Sequence, residues 1–342
     1  MTTHKPENAD AAMMRRVKQT VTCPPSTAVE RAAGFVAAAI FSLAFYAAPI
    51  LILTAPVVLL LSPRSPLAWV YAGPVLASAL LPSRYNRTVL RSWLMRQMPK
   101  YFDYTEVLEF TDEEVLEYCS KRPTILVMAP HGVISYAGIC SGLVDYAGAI
   151  RNDTILQRFP TAVATVVLQL PILKHVVGMF GLIDASRKRL AKHLESGKSC
   201  VLYPGGIAEL FLSSPQEEHI LARKGFIRLA LSTGADVVPL YLFGNTTVLQ
   251  VFKHPVLKKI SRKFGVTLTL FWGRWGLPLP HAAEKLIYVR GPPLGMPKIA
   301  DPTPADVDKW HGRYVSELTR LFDTYKGLRV DFKDKQITIN DK

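Results

Sequence analysis

Two short apolar runs in this chain end in glycine turns that carry polar side chains suited to chemistry. Thr124-Ile-Leu-Val-Met-Ala-Pro-His-Gly132 delivers His131 behind Pro130, and Val201-Leu-Tyr-Pro-Gly-Gly-Ile-Ala-Glu209 delivers Glu209 behind Gly205 and Gly206. An imidazole exchanges protons near neutrality, and paired glycines let backbone N–H groups approach an oxyanion closely. Each turn also has a plain structural reading, a hydrogen-bonded histidine in one and a simple reversal in the other. What singles them out is the repeated layout, which brings two polar strand ends to one crevice if both runs lie in one sheet. A third element, Arg223-Lys-Gly-Phe226, opens a helix with adjacent cations that suit a phosphate, or equally a solvated face.

The elements that must position these turns can be read from the pattern. From Pro123 onward, short β-branched runs at 124–128, 161–168, 199–203, 236–243, 266–271 and 285–290 are separated by helical stretches, including one from Ser135 to Tyr146. That alternation predicts an α/β fold with a mostly parallel sheet flanked by helices. Ligands gather at the carboxyl ends of such strands, where His131 would sit. The Arg223 helix runs to a Gly234 cap, and a last helix starts at Thr303 and Pro304 and buries Val307, Trp310, Tyr314, Leu318, Leu321 and Tyr325 before Gly327. Phe243-Gly-Asn245 and Gly273-Arg-Trp-Gly-Leu-Pro278 read as turns at strand ends.

Composition narrows the classes. The formal charge of +14 asks for an anionic partner, but mean hydropathy is positive and no RNA- or DNA-binding motif is present, so nucleic acid is excluded. The cysteines at 23, 119, 140 and 200 have neither a C-x-x-C pair nor a metal-ligand spacing, which predicts reduced thiols and no metal site. No G-x-S-x-G elbow exists, since Gly138-Ile-Cys-Ser-Gly142 has its serine one place off, and there is no P-loop. Residues 32–62 carry no charge, and a second uncharged segment ends near Pro82. Arg15, Arg16, Lys18 and Arg31 precede the pair and Arg84, Arg87 and Arg91 follow it, which predicts a transmembrane or re-entrant hairpin with both flanks cytosolic. The spacing over Arg84–Lys100 predicts a basic amphipathic helix on the membrane surface. The organisation expected is a mobile cytosolic tail (1–31), a membrane hairpin (32–82), a surface segment (83–122) and a catalytic domain (123–342).

In this order, Ala-Pro-His-Gly, Pro-Gly-Gly-x-x-Glu, Arg-Lys-Gly-Phe followed by Gly-Ala-Asp-Val-Val-Pro-Leu-Tyr-Leu-Phe-Gly, and Gly-Arg-Trp-Gly resemble the type-2 diacylglycerol acyltransferase family over roughly Tyr101 to Gly327. The resemblance implies an endoplasmic-reticulum membrane enzyme, with lipid droplets a second location, that moves a fatty acyl group from acyl-CoA to diacylglycerol or another lipid alcohol. It implies no bound cofactor, membrane lipids as partners, and leaves self-association open. The family's His-Pro-His-Gly stands here as Ala129-Pro-His131-Gly, its Tyr-Phe-Pro as Tyr101-Phe102-Asp103, and its Phe-Gly-Glu ends in Asn245. Related glycerolipid acyltransferases orient their histidine with an aspartate five residues on, where this chain has Tyr136. The expected roles are therefore His131 as base and Glu209 as its orienting carboxylate. Pro130, Gly132, Gly205 and Gly206 would form the oxyanion turns. Arg223, Lys224, Gly225 and Phe226 would hold acyl-CoA, and Asn245 and Arg274 would flank the acceptor. An inactive lipid-binding relative is the non-enzyme alternative.

Overall fold

A computed structural model of the protein describes residues 16–146, 149–150, 153–212, 217–257, 259, 270–281 and 284–341. Its centre is one eight-stranded sheet. In chain order the strands are β1 (Gln19–Thr22), β2 (Thr105–Leu108), β3 (Thr124–Ala129), β4 (Thr161–Val163), β5 (Leu182–Asp184), β6 (Cys200–Leu202), β7 (Asp236–Phe243) and β8 (Ile287–Arg290). Their spatial order is β1-β2-β8-β7-β3-β6-β4-β5. The pairings from β7 through β5 are all parallel, whereas β8 runs antiparallel to β7, and β1 antiparallel to β2. Every residue of β3 and β7 is buried, as expected for β-branched runs covered on both faces. Because β3 and β6 are parallel neighbours, the turns that follow them open on the same edge, and that adjacency brings His131 and Glu209 together.

The helices that matter for the site are α1 (Ala28–Leu61), α2 (Pro66–Leu80), α3 (Tyr136–Ser141), α4 (Gly225–Thr233) and α5 (Pro304–Tyr325). Helix α1 begins at a capping box between Thr27 and Glu30, and α5 at another between Thr303 and Asp306. The apolar stripe read along α5 is buried at Val307, Trp310, Tyr314, Leu318, Leu321 and Tyr325. Helix α4 ends on Gly234 in the left-handed conformation, as the cap requires. The amino-terminal half of α1 buries Ala37, Ala38, Phe41 and Ser42 against the domain, whereas Leu53 and Leu60 are 72% and 81% exposed, as is Leu80 of α2 at 86%. Helix α1 is long and apolar enough to cross a membrane by length and composition.

Several boundaries differ from the sequence reading. Gln19–Thr22 is an edge strand paired with Thr105–Leu108, so part of the expected tail and part of the expected surface segment belong to the main sheet. The predicted Arg84–Lys100 helix is instead three single turns, Arg87–Leu90, Trp93–Arg96 and Met98–Tyr101. Asn86 and Ser92 side chains accept from Val89 and Met95 amides and start new turns, and Pro99 lacks an amide to continue one. The 161–168 run is strand only to Val163, and the helix after His131 stops at Ser141. Of the predicted strand at 266–271, residues 266–269 lie outside the described residues; Phe271–Trp272 forms a small pair with Gln250–Val251. All four cysteines are free thiols.

Candidate active site

His131 stands at the carboxyl end of the central strand β3, partly buried. Its Nδ1 lies 2.8 Å from the Gly132 carbonyl oxygen. A carbonyl can only accept, so Nδ1 carries the proton and Nε2 keeps its lone pair. That is the tautomer a general base requires. The edge of the ring meets Tyr203, with centroids 4.6 Å apart. Burial lowers the imidazole pKa below its ordinary value, and the hydrogen bond to Gly132 opposes this only in part. The ring is accordingly neutral at physiological pH.

Glu209 is brought to this turn, but not to the imidazole. Its Oε1 accepts from the backbone N–H of His131 at 2.6 Å, and its Oε2 from the Leu221 N–H at 3.1 Å. This corrects the expectation that Glu209 orients the ring. The carboxylate fixes the main chain that carries His131 and ties it to the strand Glu217–Leu221, while the ring is oriented by Gly132. Gly205 makes room for the acid, because a Cβ there would lie 2.2 Å from Glu209 Oε2. Burial pushes the Glu209 carboxyl up to about 7, the two amide bonds pulling against that.

Asn245 also belongs to the turn. It is buried; its Oδ1 accepts from the Ala137 N–H at 2.9 Å, and its Nδ2 donates to the carbonyls of Pro130 and His131 and to Ser135 Oγ. The two carbonyls fix which end of the amide is nitrogen. Its placement beside the acceptor lipid is thereby corrected, since every polar atom of its side chain is spent on holding the loop. A carboxylate could not donate to these two carbonyls. Asn245→Asp is therefore expected to cost roughly 1–3 kcal/mol of stability by turning two hydrogen bonds into repulsions, which thermal unfolding of the purified variant would measure.

Sequence reasoning passed over Tyr203 and Ser135. Tyr203 Oη lies 2.8 Å from Ser135 Oγ, so a chain of hydrogen bonds runs from Asn245 through Ser135 to the tyrosine that packs on His131. The available signal was the place of Tyr203 at the end of β6, directly before Pro204-Gly-Gly.

The remaining candidates divide. Arg223 is exposed two residues beyond Leu221, close in the chain to the strand that Glu209 holds. Lys224 pairs with Asp308 at 2.9 Å and Asp341 at 3.1 Å. Gly225 is exposed, and a Cβ there would meet nothing. Phe226 is corrected outright: it is buried edge-on against Tyr314 at 5.0 Å, a core residue of α4 and α5 that no acyl-CoA could reach. Arg274 sits 4.2 Å over the Trp275 ring and 5.6 Å from Phe35 of α1. Among the described residues it has no recorded contact with the His131 turn. Also among the described residues, no cluster of His, Cys, Asp and Glu could hold a metal ion.

Comparison with known proteins matches the sequence that builds this site to a family. The family model described as diacylglycerol acyltransferase matches residues 66–340. The diacylglycerol O-acyltransferase 2 of Dictyostelium discoideum is 30% identical over 270 residues, covering 74% of this chain and 79% of that protein. The mouse diacylglycerol O-acyltransferase 2-like protein 6 is 31% identical, over 60% of this chain and 67% of its own. The human diacylglycerol O-acyltransferase 2 is 30% identical, over 58% and 55%. Among solved structures, the 1-acyl-sn-glycerophosphate acyltransferase PlsC of Thermotoga maritima superposes over 84% of this chain and 95% of its own at 12% identity, with a TM-score of 0.35, too remote a likeness to weigh on the site. The family match spans α2, the sheet from β2 to β8 and both glycine turns, and this chain belongs to the diacylglycerol acyltransferase family.

Proposed function

We propose that the protein is a membrane-associated acyltransferase that moves a fatty acyl group from acyl-CoA to the free hydroxyl of diacylglycerol, giving triacylglycerol. The acceptor is the one named for its relatives, and acyl-CoA is the proposed donor. The observation that carries the chemistry is the neutral His131 whose Nδ1 is committed to Gly132, leaving Nε2 to accept a proton.

A thioester is already activated, so little else is asked of the protein. Nε2 takes the hydroxyl proton as the acceptor oxygen bonds to the acyl carbon, and the carbonyl electron pair moves onto its oxygen. Backbone amides at Gly132 and Gly206 are the donors proposed for that oxyanion. Collapse breaks the C–S bond, and the departing CoA thiolate takes the proton from the imidazolium. Glu209 and Asn245 act as positioning residues by holding the loop on both sides. Arg223 is the cation proposed for CoA phosphate, and Lys224 would first have to leave its two aspartates.

The hairpin of α1 and α2 supplies the proposed membrane attachment. About 20 apolar residues span a bilayer, and α1 has 34, of which the exposed carboxyl-terminal half is free to enter lipid. The 15 residues of α2 rise only about 22 Å, less than the ~30 Å core, so a re-entrant return fits better than a second full span. Basic residues outside both ends favour cytosolic flanks. Purified protein given labelled acyl-CoA and, separately, diacylglycerol, monoacylglycerol, a fatty alcohol and a sterol should form triacylglycerol fastest. Transfer to none of the four would overturn the assignment.

A further inference from the structure

Where the hairpin returns to the domain there is a cleft of about 420 Å³ whose lining includes no residue of the His131 turn. Its walls are Leu81, Val89 and Met179 on the apolar side and Arg84, Asn86 and His175 on the polar side. Both walls are tied in place. Ile172 N–H donates to Ser78 Oγ at 2.5 Å, Lys174 Nζ to the Ala79 carbonyl at 3.0 Å, and Asn86 N–H to the Met179 carbonyl at 3.0 Å. His175 Nε2 lies 3.1 Å from the Ser78 carbonyl, which it must face as a donor. Ile172 holds φ +65 to make this connection, a conformation that costs a β-branched residue energy and marks a built feature.

The charge balance at the cleft favours an anion. The carboxyl end of α2 would by itself present a partial negative charge. Lys174 and His175 donate into its last carbonyls and offset it. Arg84, exposed and lining the cleft, makes no hydrogen bond or ion pair among the described residues. An apolar wall beside a guanidinium, at the foot of an exposed apolar hairpin, matches one kind of molecule: a lipid whose phosphate meets Arg84 while its chains lie along Leu81, Val89 and Met179. Neutral diacylglycerol would leave the cation unpaired.

We infer that this cleft seats the phosphate headgroup of one bilayer lipid, a site separate from that of catalysis. The inference rests on the reading of the hairpin as membrane-inserted, because only then does the cleft open at the headgroup level. It fixes how deep the hairpin sits and which way the His131 edge faces the bilayer.

The test uses the full-length protein in nonionic detergent, titrated with a short-chain phosphatidic acid and followed by thermal unfolding. A rise in Tm is expected with this lipid and in His131→Ala as well, since no turnover is involved. Arg84→Ala, at an exposed position, should unfold at the wild-type temperature without lipid yet bind at least about tenfold more weakly, the loss of one charge-assisted contact. An unchanged response in Arg84→Ala would overturn the site. So would an equal response to inorganic phosphate, which would make it a plain anion site, or to the matched short-chain diacylglycerol, which would make it part of the acceptor path. Flotation with pure phosphatidylcholine vesicles tests the hairpin separately, and its failure would overturn the membrane reading whatever the titration shows.

Discussion

Replacing His131 with alanine is expected to lower kcat/KM for acyl transfer by about 10²–10⁴-fold, the range that a positioned general base contributes, while the protein still accumulates in membranes. The expectation rests on the lack of a substitute. Glu209 is the carboxylate that touches this turn, and both of its oxygens are turned to backbone amides of His131 and Leu221. Tyr203 is partly buried and bonded to Ser135, and desolvation raises its pKa well above the ordinary tyrosine value, so it cannot serve as a base near neutrality. A radiolabelled acyl-CoA assay on microsomes, normalised to protein, measures the effect. Near-wild-type turnover would remove His131 from the mechanism.

Gly132→Ala is expected to be almost as damaging, although it deletes no functional group. Gly132 holds φ +66, where a side chain costs about 1 kcal/mol or more. The larger effect is steric, since an added Cβ would lie 2.3 Å from the Asn245 carbonyl oxygen. That neighbour is backbone at the end of β7 and has little freedom to give way, so the turn must move instead. Displacing it breaks the hydrogen bond from His131 Nδ1 to the Gly132 carbonyl and loosens the proton placement. Misplacing a reacting group by about 1 Å can cost 10²-fold, and a kcat loss of at least that size is expected, with KM for acyl-CoA nearly unchanged. A thermal-unfolding transition lost or far below that of the wild type would instead assign the loss to unfolding of the whole domain.

What could be read in the sequence followed from local chemistry. The runs expected at 124–128, 236–243 and 285–290 are rich in β-branched or aromatic residues, and they form fully buried strands at 124–129, 236–243 and 287–290. His131 and Glu209 were legible because each closes such a run with a polar group. The terminal helix α5 was legible from its cap and its apolar period. What escaped depends on partners far along the chain. Gln19–Thr22 is polar except at Val21 and becomes a strand only because Thr105–Leu108 lies beside it. The strand Glu217–Leu221 similarly acquires its partner from Gln336–Asn340 at the carboxyl end.

The roles of side chains were harder to read than their places. Glu209 was recognisable as part of the site, but spacing alone cannot tell whether a carboxylate meets a ring or the backbone beside it. Asn245 looked like a change in the acceptor pocket; the fold shows instead an amide whose donors and acceptor match three backbone groups of the segment Pro130–Ala137. Lys224 looked free for a phosphate until Asp308 and Asp341 were brought to it from the carboxyl-terminal region.

The claim most in need of measurement is that His131, rather than Glu209, receives the proton. Burial lowers the imidazole pKa below its ordinary 6.5 and pushes the Glu209 carboxyl up to about 7, so the two groups are displaced in opposite directions. The pH dependence of kcat/KM should be recorded for the wild type and for Glu209→Gln. An acid limb with its midpoint below 6.5 that persists in Glu209→Gln, on a lowered rate, is the result expected of a neutral imidazole base. A limb near pH 7 that vanishes in Glu209→Gln would contradict it and make the glutamate the proton acceptor.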